Sequence, residues 1–254
     1  MKGGVLDRTP MTTHMLSRFI KLGLLALVLS TGAAWAAPPS SRAAVAPAKI
    51  GIIGAGHIGG ALARLWVASG HEVLVSSRHP DQLKPLCAKL GPRCHVGTPR
   101  DAAVFSNVVL ISVPYGALPQ IGKDLRADLA GKVVLDTGNP YPGRDGPMAE
   151  EARKKGTGAA SSAFLPGVRL VRAFNAINSD DLERLGHRKP NLVAIPLASD
   201  DAGALKIASA LVRDAGFDPV IVGGLARAKD FDVGTPVYTK VMSAAELRKA
   251  LGLK

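Results

Sequence analysis

An α/β fold with a doubly wound, mainly parallel sheet is what the sequence predicts, and three observations predict it. From Lys49 onward short apolar runs alternate with helical stretches, the pattern of successive βαβ units. The first run leads straight into Gly54-Ala55-Gly56-His57-Ile58-Gly59 and then into an apolar-periodic stretch that stops at Gly70. A G-x-G-x-x-G pattern thus sits between a strand and a helix, the context that gives it meaning. Later runs such as 108–113 are apolar throughout, as strands covered on both faces are. The reading is a Rossmann-type domain over residues 49–254 with a short C-terminal helical elaboration.

Each element follows from local signals. The first strand is 50–53, and the helix 57–69 ends at Gly70 in the usual C-terminal glycine position. A strand at 72–76, a helix at 81–90 and a short strand near 95–96 come next. A helical piece at 101–105 precedes the strand 108–113, bounded by Asn107 and Pro114. A helix at 115–128 leads to the strand 132–136. The stretch TGNPYPGRDGP, 137–147, is too rich in breakers for regular structure and reads as a loop. Helices at 148–155 and around Ser162, a strand at 170–174, a helix at 180–185, a strand at 192–196, a helix at 200–215 and a strand at 219–222 complete the alternation. Residues 243–251 carry a helical period. There is no internal repeat and no second compositional regime, so one domain is expected.

The N-terminus reads differently. From Met15 the chain runs MLSRFIKLGLLALVLSTGAAWAAPPSS, with Arg18 and Lys21, an apolar run from Leu22, and Ala34-Trp35-Ala36 as a small-residue cleavage site. Residues 1–36 are expected to be a signal peptide and 37–48 a linker. An uncleaved anchor is the alternative, but the run falls short of the ~20 apolar residues a span needs. The mature protein is then periplasmic or secreted, without stable membrane insertion, and cytoplasmic if the leader is not used.

The leader and linker together carry five basic residues against Asp7, so about +8 of the formal net charge of +12 remains with the domain. That excess suits an anionic ligand. The basic residues are scattered, apart from Arg153-Lys154-Lys155, and aromatics make up only 4%, which argues against nucleic acid. Cys87 and Cys94 flank AKLGPR; they can bridge in an oxidising compartment or stay as thiols, and no neighbouring ligands make a zinc site.

In the fingerprint, Gly54 permits the tight turn, Gly56 lets the backbone approach a pyrophosphate, and Gly59 lets the helix pack close to the strand. The phosphates would rest on the helix N-terminus at Ala55, His57 and Ile58. His57 is placed to face phosphates or solvent rather than to act as a base. At the end of the second strand an acidic residue would bind a free ribose and repel a 2′-phosphate. This chain has Ser76, Ser77 and Arg78 instead, two hydroxyls and a guanidinium fork suited to phosphate oxygens. NADP(H) is therefore favoured over NAD(H), with a solvated strand-end Arg78 as the bland alternative.

A second ligand should collect at the carboxyl ends of the strands, at Val113-Pro114, Asn139-Pro140 and Asn175. Asn139 and Asn175 can give and accept hydrogen bonds without charge, which suits a carboxamide or a heterocycle edge, or they stabilise turns. No Ser-His-Asp set, carboxylate pair or metal cluster is evident, and no catalytic acid or base is assigned. Hydride transfer between two bound molecules depends more on proximity and a dry pocket.

The segments IGIIGAGHIGGALA, SSR, VVLISVP, VVLDTGNP, VRAFNAIN and SDDAGALKIASALVRDAGFDPVIVGGLARAK resemble the coenzyme F-420-dependent NADP oxidoreductases and the dinucleotide-binding reductases around them. The nucleotide fold is also similar to the cytoplasmic domain of six-transmembrane metalloreductases. The resemblance spans most of 49–230. It implies hydride exchange between NADP(H) and a small-molecule acceptor, a flavin or 5-deazaflavin such as F-420. It also implies that Ser77 and Arg78 take the 2′-phosphate, and that Val113-Pro114 and Asn139-Pro140 line the nicotinamide pocket. Three departures stand out: Ser199-Asp200-Asp201 where the family commonly reads GDD, Thr137-Gly138-Asn139 where it reads ATN, and the leader, since free NADPH belongs to the cytoplasm. The rivals are an exported dinucleotide-binding module without turnover and an imine reductase of the pyrroline-carboxylate type, which needs a long helical dimerisation domain. The oligomeric state stays open, a homodimer included.

Overall fold

A computed structural model describes residues 48–253, so the predicted signal peptide and all but the last residue of the linker lie outside the described residues. In chain order the elements are β1 (Lys49–Ile53), α1 (His57–Ala68), β2 (Glu72–Ser76), α2 (Lys84–Leu90), β3 (Cys94–Gly97), α3 (Pro99–Phe105) and β4 (Val108–Ile111). There follow α4 (Leu118–Asp124), α5 (Arg126–Leu129), β5 (Val133–Asp136), α6 (Pro142–Asp145), α7 (Pro147–Lys155), α8 (Thr157–Phe164) and β6 (Arg169–Arg172). The chain closes with α9 (Ser179–Leu185), β7 (Ala194–Ala198), α10 (Ala202–Asp214), β8 (Asp218–Gly223) and α11 (Ala244–Ala250). All eight predicted strands are present, in one sheet of order β3-β2-β1-β4-β5-β6-β7-β8. β1 to β6 run parallel. β7 meets β6 antiparallel through the single pair Arg172↔Ala198, and β8 runs parallel to β7. The sheet is thus the mainly parallel, Rossmann-type one expected.

Strand periodicity distributes the core. Ile50 and Ile52 of β1 pack with α1, α9 and α10 on one face, whereas Ile53 joins α3, α4 and α8 on the other. Trp66 anchors the first layer: it is fully buried, donates its indole N–H to the Leu211 carbonyl at 2.9 Å and meets Phe174 edge-on at 6.2 Å. Each such apolar side chain stabilises the fold by about 1.5–3 kcal/mol. A third cluster, with Val220, Val222, Phe231 and Leu247, covers the outer strands.

The departures from the predicted elements have local causes. The expected helix 81–90 is a 3₁₀ turn, Pro80–Leu83, followed by α2, and 115–128 is broken the same way, because Pro85 and Pro119 each restart a helix in its first turn. The Gly/Pro loop contains one helical turn, α6, started by Pro142. The sequence reading missed a 3₁₀ segment, Leu225–Phe231, which packs Leu225, Ala228 and Phe231 inward.

Cys87 and Cys94 are bonded, their Cα atoms 5.0 Å apart, which ties α2 to β3. Closing a loop of seven residues' separation stabilises by about 2–3 kcal/mol in the chain-entropy account. The double substitution Cys87→Ser/Cys94→Ser is expected to lower the unfolding free energy by that amount in urea denaturation.

At the start of α10 the Asp201 carboxylate accepts from the Ala204 N–H at 2.8 Å and from the Arg169 guanidinium at 2.7 and 3.0 Å. Arg169 first, and then the Ala204 N–H, hold its carboxyl far below the usual carboxylate range. A depressed pKa gives stability that is complete above about pH 4 and lost as pH falls through the native value. On acidification Asp201→Asn is therefore expected to lose less melting temperature than wild type.

Candidate functional site

The site is built where the strand order reverses. β1 lies between β2 and β4, so their carboxyl ends open a crevice at the head of α1. The N-cap of α1 is Gly56, which offers no side-chain cap, and no acidic residue occupies the first turn. The first N–H groups therefore keep no intrahelical partner and face outward with the positive end of the helix dipole. Two of the three glycines are demanded by the protein itself. Gly54 has φ +95°, and a Cβ there would stand 2.2 Å from the Ser112 carbonyl oxygen; a Cβ on Gly59 would stand 2.1 Å from that of Gly54. Gly56 is different, for a Cβ there would meet nothing within 4 Å. Among the described residues, then, the protein itself does not require a glycine at this point.

From this turn a cavity of about 820 Å³ runs along Ser77 and Arg78 at the end of β2 and across to Val113 and Pro114 after β4. Arg78 is exposed and makes no ion pair or hydrogen bond with any described residue, so its fork is open to a ligand. Ser77 Oγ accepts the His79 N–H at 2.9 Å, which shapes the turn and leaves its own proton uncommitted. Ser76 has to be removed from the expected phosphate set. It is fully buried as the last residue of β2, and its hydroxyl donates to the Ile52 carbonyl at 2.8 Å. Ala55 lines the cavity; His57, Ile58 and Gly59 form the first turn of α1, with His57 exposed and Gly59 buried. A hollow of about 400 Å³ around Lys49 and Phe105 lies at the opposite end of β1 and holds none of these groups.

The loops after β5 and β6 form a second polar region. Asn139 donates its amide to the Asn175 carbonyl at 2.8 Å and to the Tyr238 hydroxyl at 3.3 Å. Tyr238 is in hydroxyl contact with Tyr141. Pro140 is buried, and its carbonyl accepts Arg153 Nε at 2.9 Å. The Asn139 carbonyl accepts Arg144 at 2.7 Å. Asp145 fixes this loop by accepting from the N–H groups of Tyr141 at 2.9 Å and Gly116 at 3.0 Å. Burial disfavours its charge, and Arg144 together with those N–H groups outweighs burial and keeps its carboxyl below the usual range. Asn175, expected as a substrate contact, is only 1% exposed; what it offers to the site is the backbone carbonyl that holds Asn139. Its side chain is turned inward, with the amide 3.5 Å from the Phe231 carbonyl.

Beneath this corner lies a charge pair that sequence reasoning did not single out. Arg172 is fully buried; it bonds Asp136 Oδ2 at 2.5 Å and the Gly138 carbonyl at 2.7 Å, with Asp232 at 3.8 Å. Asp136 and Arg172 are register partners at the ends of β5 and β6, and two opposite charges closing consecutive apolar runs were the available signal. Tyr141 and Tyr238 were missed too, since they stand 97 residues apart.

Residues 49–140 match the family described as NADP oxidoreductase coenzyme F420-dependent. The rat metalloreductase STEAP3 is 30% identical over 185 residues, 72% of this chain, which spans about a third (36%) of that protein's length. Among solved structures, hypothetical protein SMa0349 of Sinorhizobium meliloti superposes with a TM-score of 0.68 at 25% identity, covering 78% of this chain and 95% of its own. A protein assigned as an F420-dependent NADP-reductase from Arthrobacter sp. FB24 shares the fold, with a TM-score of 0.64 at 22% identity over 81% of this chain and 96% of its own. Imine reductase from Myxococcus stipitatus, in complex with NADP+, shares it more distantly, with a TM-score of 0.51 at 22% identity over 81% and 60%. The resemblance of the sequence to the coenzyme F420-dependent NADP oxidoreductases is thus matched by that family's model over residues 49–140.

Proposed function

We propose that this protein is an NADP(H)-dependent oxidoreductase that passes hydride between NADPH and a flavin-like or 5-deazaflavin acceptor. The observation that carries the reading is one continuous groove. It joins the uncapped head of α1 to the unpaired Arg78, with no acidic residue at the end of β2. Ala55, Gly56 and the first turn of α1 would hold the pyrophosphate, and Ser77 with Arg78 the 2′-phosphate. Val113-Pro114 and Asn139-Pro140 would flank the nicotinamide, which supplies the hydride when bound. The chain's own residues orient the ligands and exclude water; the acceptor class rests on the family match.

The imine-reductase alternative receives less support. Among the described residues the longest helix is the 13-residue α10, and strands continue to alternate with helices as far as β8. The Cys87–Cys94 bridge supports an oxidising compartment and hence use of the leader.

The test is a side-by-side titration of NADPH and NADH into protein beginning at Ala37. It is followed by NADPH oxidation with coenzyme F420, FMN and FAD in turn. Preference for NADPH with turnover of one acceptor supports the reading. Binding without turnover favours a module that only binds dinucleotide, and no binding of either nucleotide overturns the oxidoreductase reading for the exported form.

A further inference from the structure

The corner formed by Asn139, Tyr141 and Tyr238 has more hydrogen-bonding capacity than the protein uses. Tyr141 and Tyr238 share one hydroxyl contact between two O–H groups, and Tyr238 also receives the Asn139 amide. One contact can engage only one of the two hydroxyl protons, so whichever tyrosine donates, the other keeps a proton with no acceptor among the described residues. Within the same corner the amide oxygen of Asn139 is buried and has no donor among the described residues. Native structures seldom leave such groups idle unless a ligand or water meets them. Both phenols are half-buried rather than sealed.

Charge and backbone geometry favour the same conclusion. The Arg144 and Arg153 guanidinium carbons lie 5.1 and 6.0 Å from the Tyr141 ring centre. Only the Nε of Arg153 is engaged by a described residue, so its outer nitrogens are open to an anion. Burial, followed by the Tyr141 hydroxyl, keeps the Tyr238 phenol well above its usual range, so it holds its proton at neutral pH. Thr239, next to Tyr238, sits at φ +56°, and Phe174, next to Asn175, at φ +58°. A β-branched residue in that region is a true outlier, of the kind that accumulates where a chain is shaped for a ligand.

We propose that the Tyr141–Tyr238 pair, oriented by Asn139, binds a carbonyl oxygen or ring nitrogen of the hydride acceptor and gives it the proton that completes its reduction. The proposal rests on the oxidoreductase reading above and narrows it to acceptors in which hydride arrives at an atom conjugated to such an oxygen or nitrogen, a ring carbon in a 5-deazaflavin and a ring nitrogen in a flavin. The C–H bond of the reduced nicotinamide breaks, and its electron pair forms a new bond to hydrogen on the acceptor, C–H in a 5-deazaflavin or N–H in a flavin. The displaced π pair moves to the acceptor's oxygen or nitrogen, where the phenolic O–H bond breaks and a new O–H or N–H bond forms. NADPH is oxidised to NADP+, the acceptor is reduced, and the phenolate recovers a proton from solvent through the second tyrosine.

The experiment compares the wild-type full chain with Tyr141→Phe and Tyr238→Phe, using coenzyme F420 and FMN as probes. Three quantities are read: NADPH affinity, probe affinity for the NADP+-loaded protein by fluorescence quenching, and kcat against pH. Expected are NADPH affinities within twofold of wild type, which also certify the fold, and several-fold weaker probe binding. In at least one variant kcat falls about 10²-fold, the usual scale of a lost general acid, and rises as pH falls because the proton now comes from solvent. Variants that bind and reduce the probe like wild type, with the same pH profile, overturn the proposal and leave the oxidoreductase reading standing. A wild-type protein that binds NADPH but neither binds nor reduces either probe overturns both, a result visible before any variant is made.

Discussion

Replacing Arg172 by methionine is expected to lower the unfolding free energy by about 3–5 kcal/mol, the usual consequence of leaving one member of a buried ion pair alone. That is a large part of the ~5–15 kcal/mol that holds an ordinary domain together. Both side chains are wholly inaccessible, so water cannot replace the lost guanidinium. Asp136 would keep only the Gly138 N–H, at 2.8 Å. Removing both charges in Asp136→Asn/Arg172→Met should cost less than the sum of the two single changes, because no uncompensated charge remains. Urea unfolding followed by tryptophan fluorescence measures all four corners of the cycle. A loss under about 1 kcal/mol, the scale of a surface pair, would mean that the pair is not buried as described. The pair also bears on function, because Arg172 holds the Gly138 carbonyl one residue before Asn139. NADPH turnover is therefore expected to fall further than stability alone explains.

The parts legible in the sequence are those whose cause is local. β1, β4 and β5 are mainly apolar runs of four or five residues, closed by Gly54, Ser112 and Asp136. Gly59 is needed by its backbone contact with the nearby Gly54, and Gly54 by its own φ of +95°, and Arg78 is recognisable because an acidic residue is expected at that point. β3 was faint because it is a four-residue edge strand, half-buried in its middle. Ser76 shows the limit of the same reasoning. Composition cannot say whether a hydroxyl at a strand end faces the groove or the neighbouring strand, and here it faces Ile52. The tyrosine corner was out of reach for another reason. Tyr141 lies in a stretch whose prolines and glycines hide any period, Tyr238 in one with no strong period, and only the antiparallel return at β7 and β8 brings them together.

Arg78→Ala is expected to weaken NADPH binding about tenfold or more while leaving NADH nearly unchanged. A hydrogen bond to a charged group is worth about 1.5–3 kcal/mol, and ~1.4 kcal/mol is one decade of affinity. Exposure pulls the other way: Arg78 lies open to solvent, where ordinary ion pairs contribute ~0–1 kcal/mol. The phosphate should win, since it carries close to two charges and accepts the planar fork through two oxygens, whereas a surface carboxylate must immobilise a second flexible side chain. Screening nevertheless places the effect near the lower end of the range, so the discrimination should shrink as salt is raised. Arg78→Lys keeps the charge and loses the fork, and it should fall between wild type and alanine. Calorimetric titration of both nucleotides into the three proteins at two salt concentrations decides the matter. Equal losses for NADPH and NADH would show that Arg78 shapes the loop instead of reading the 2′-phosphate, and Ser77 would then be the only expected 2′-phosphate donor left on that loop.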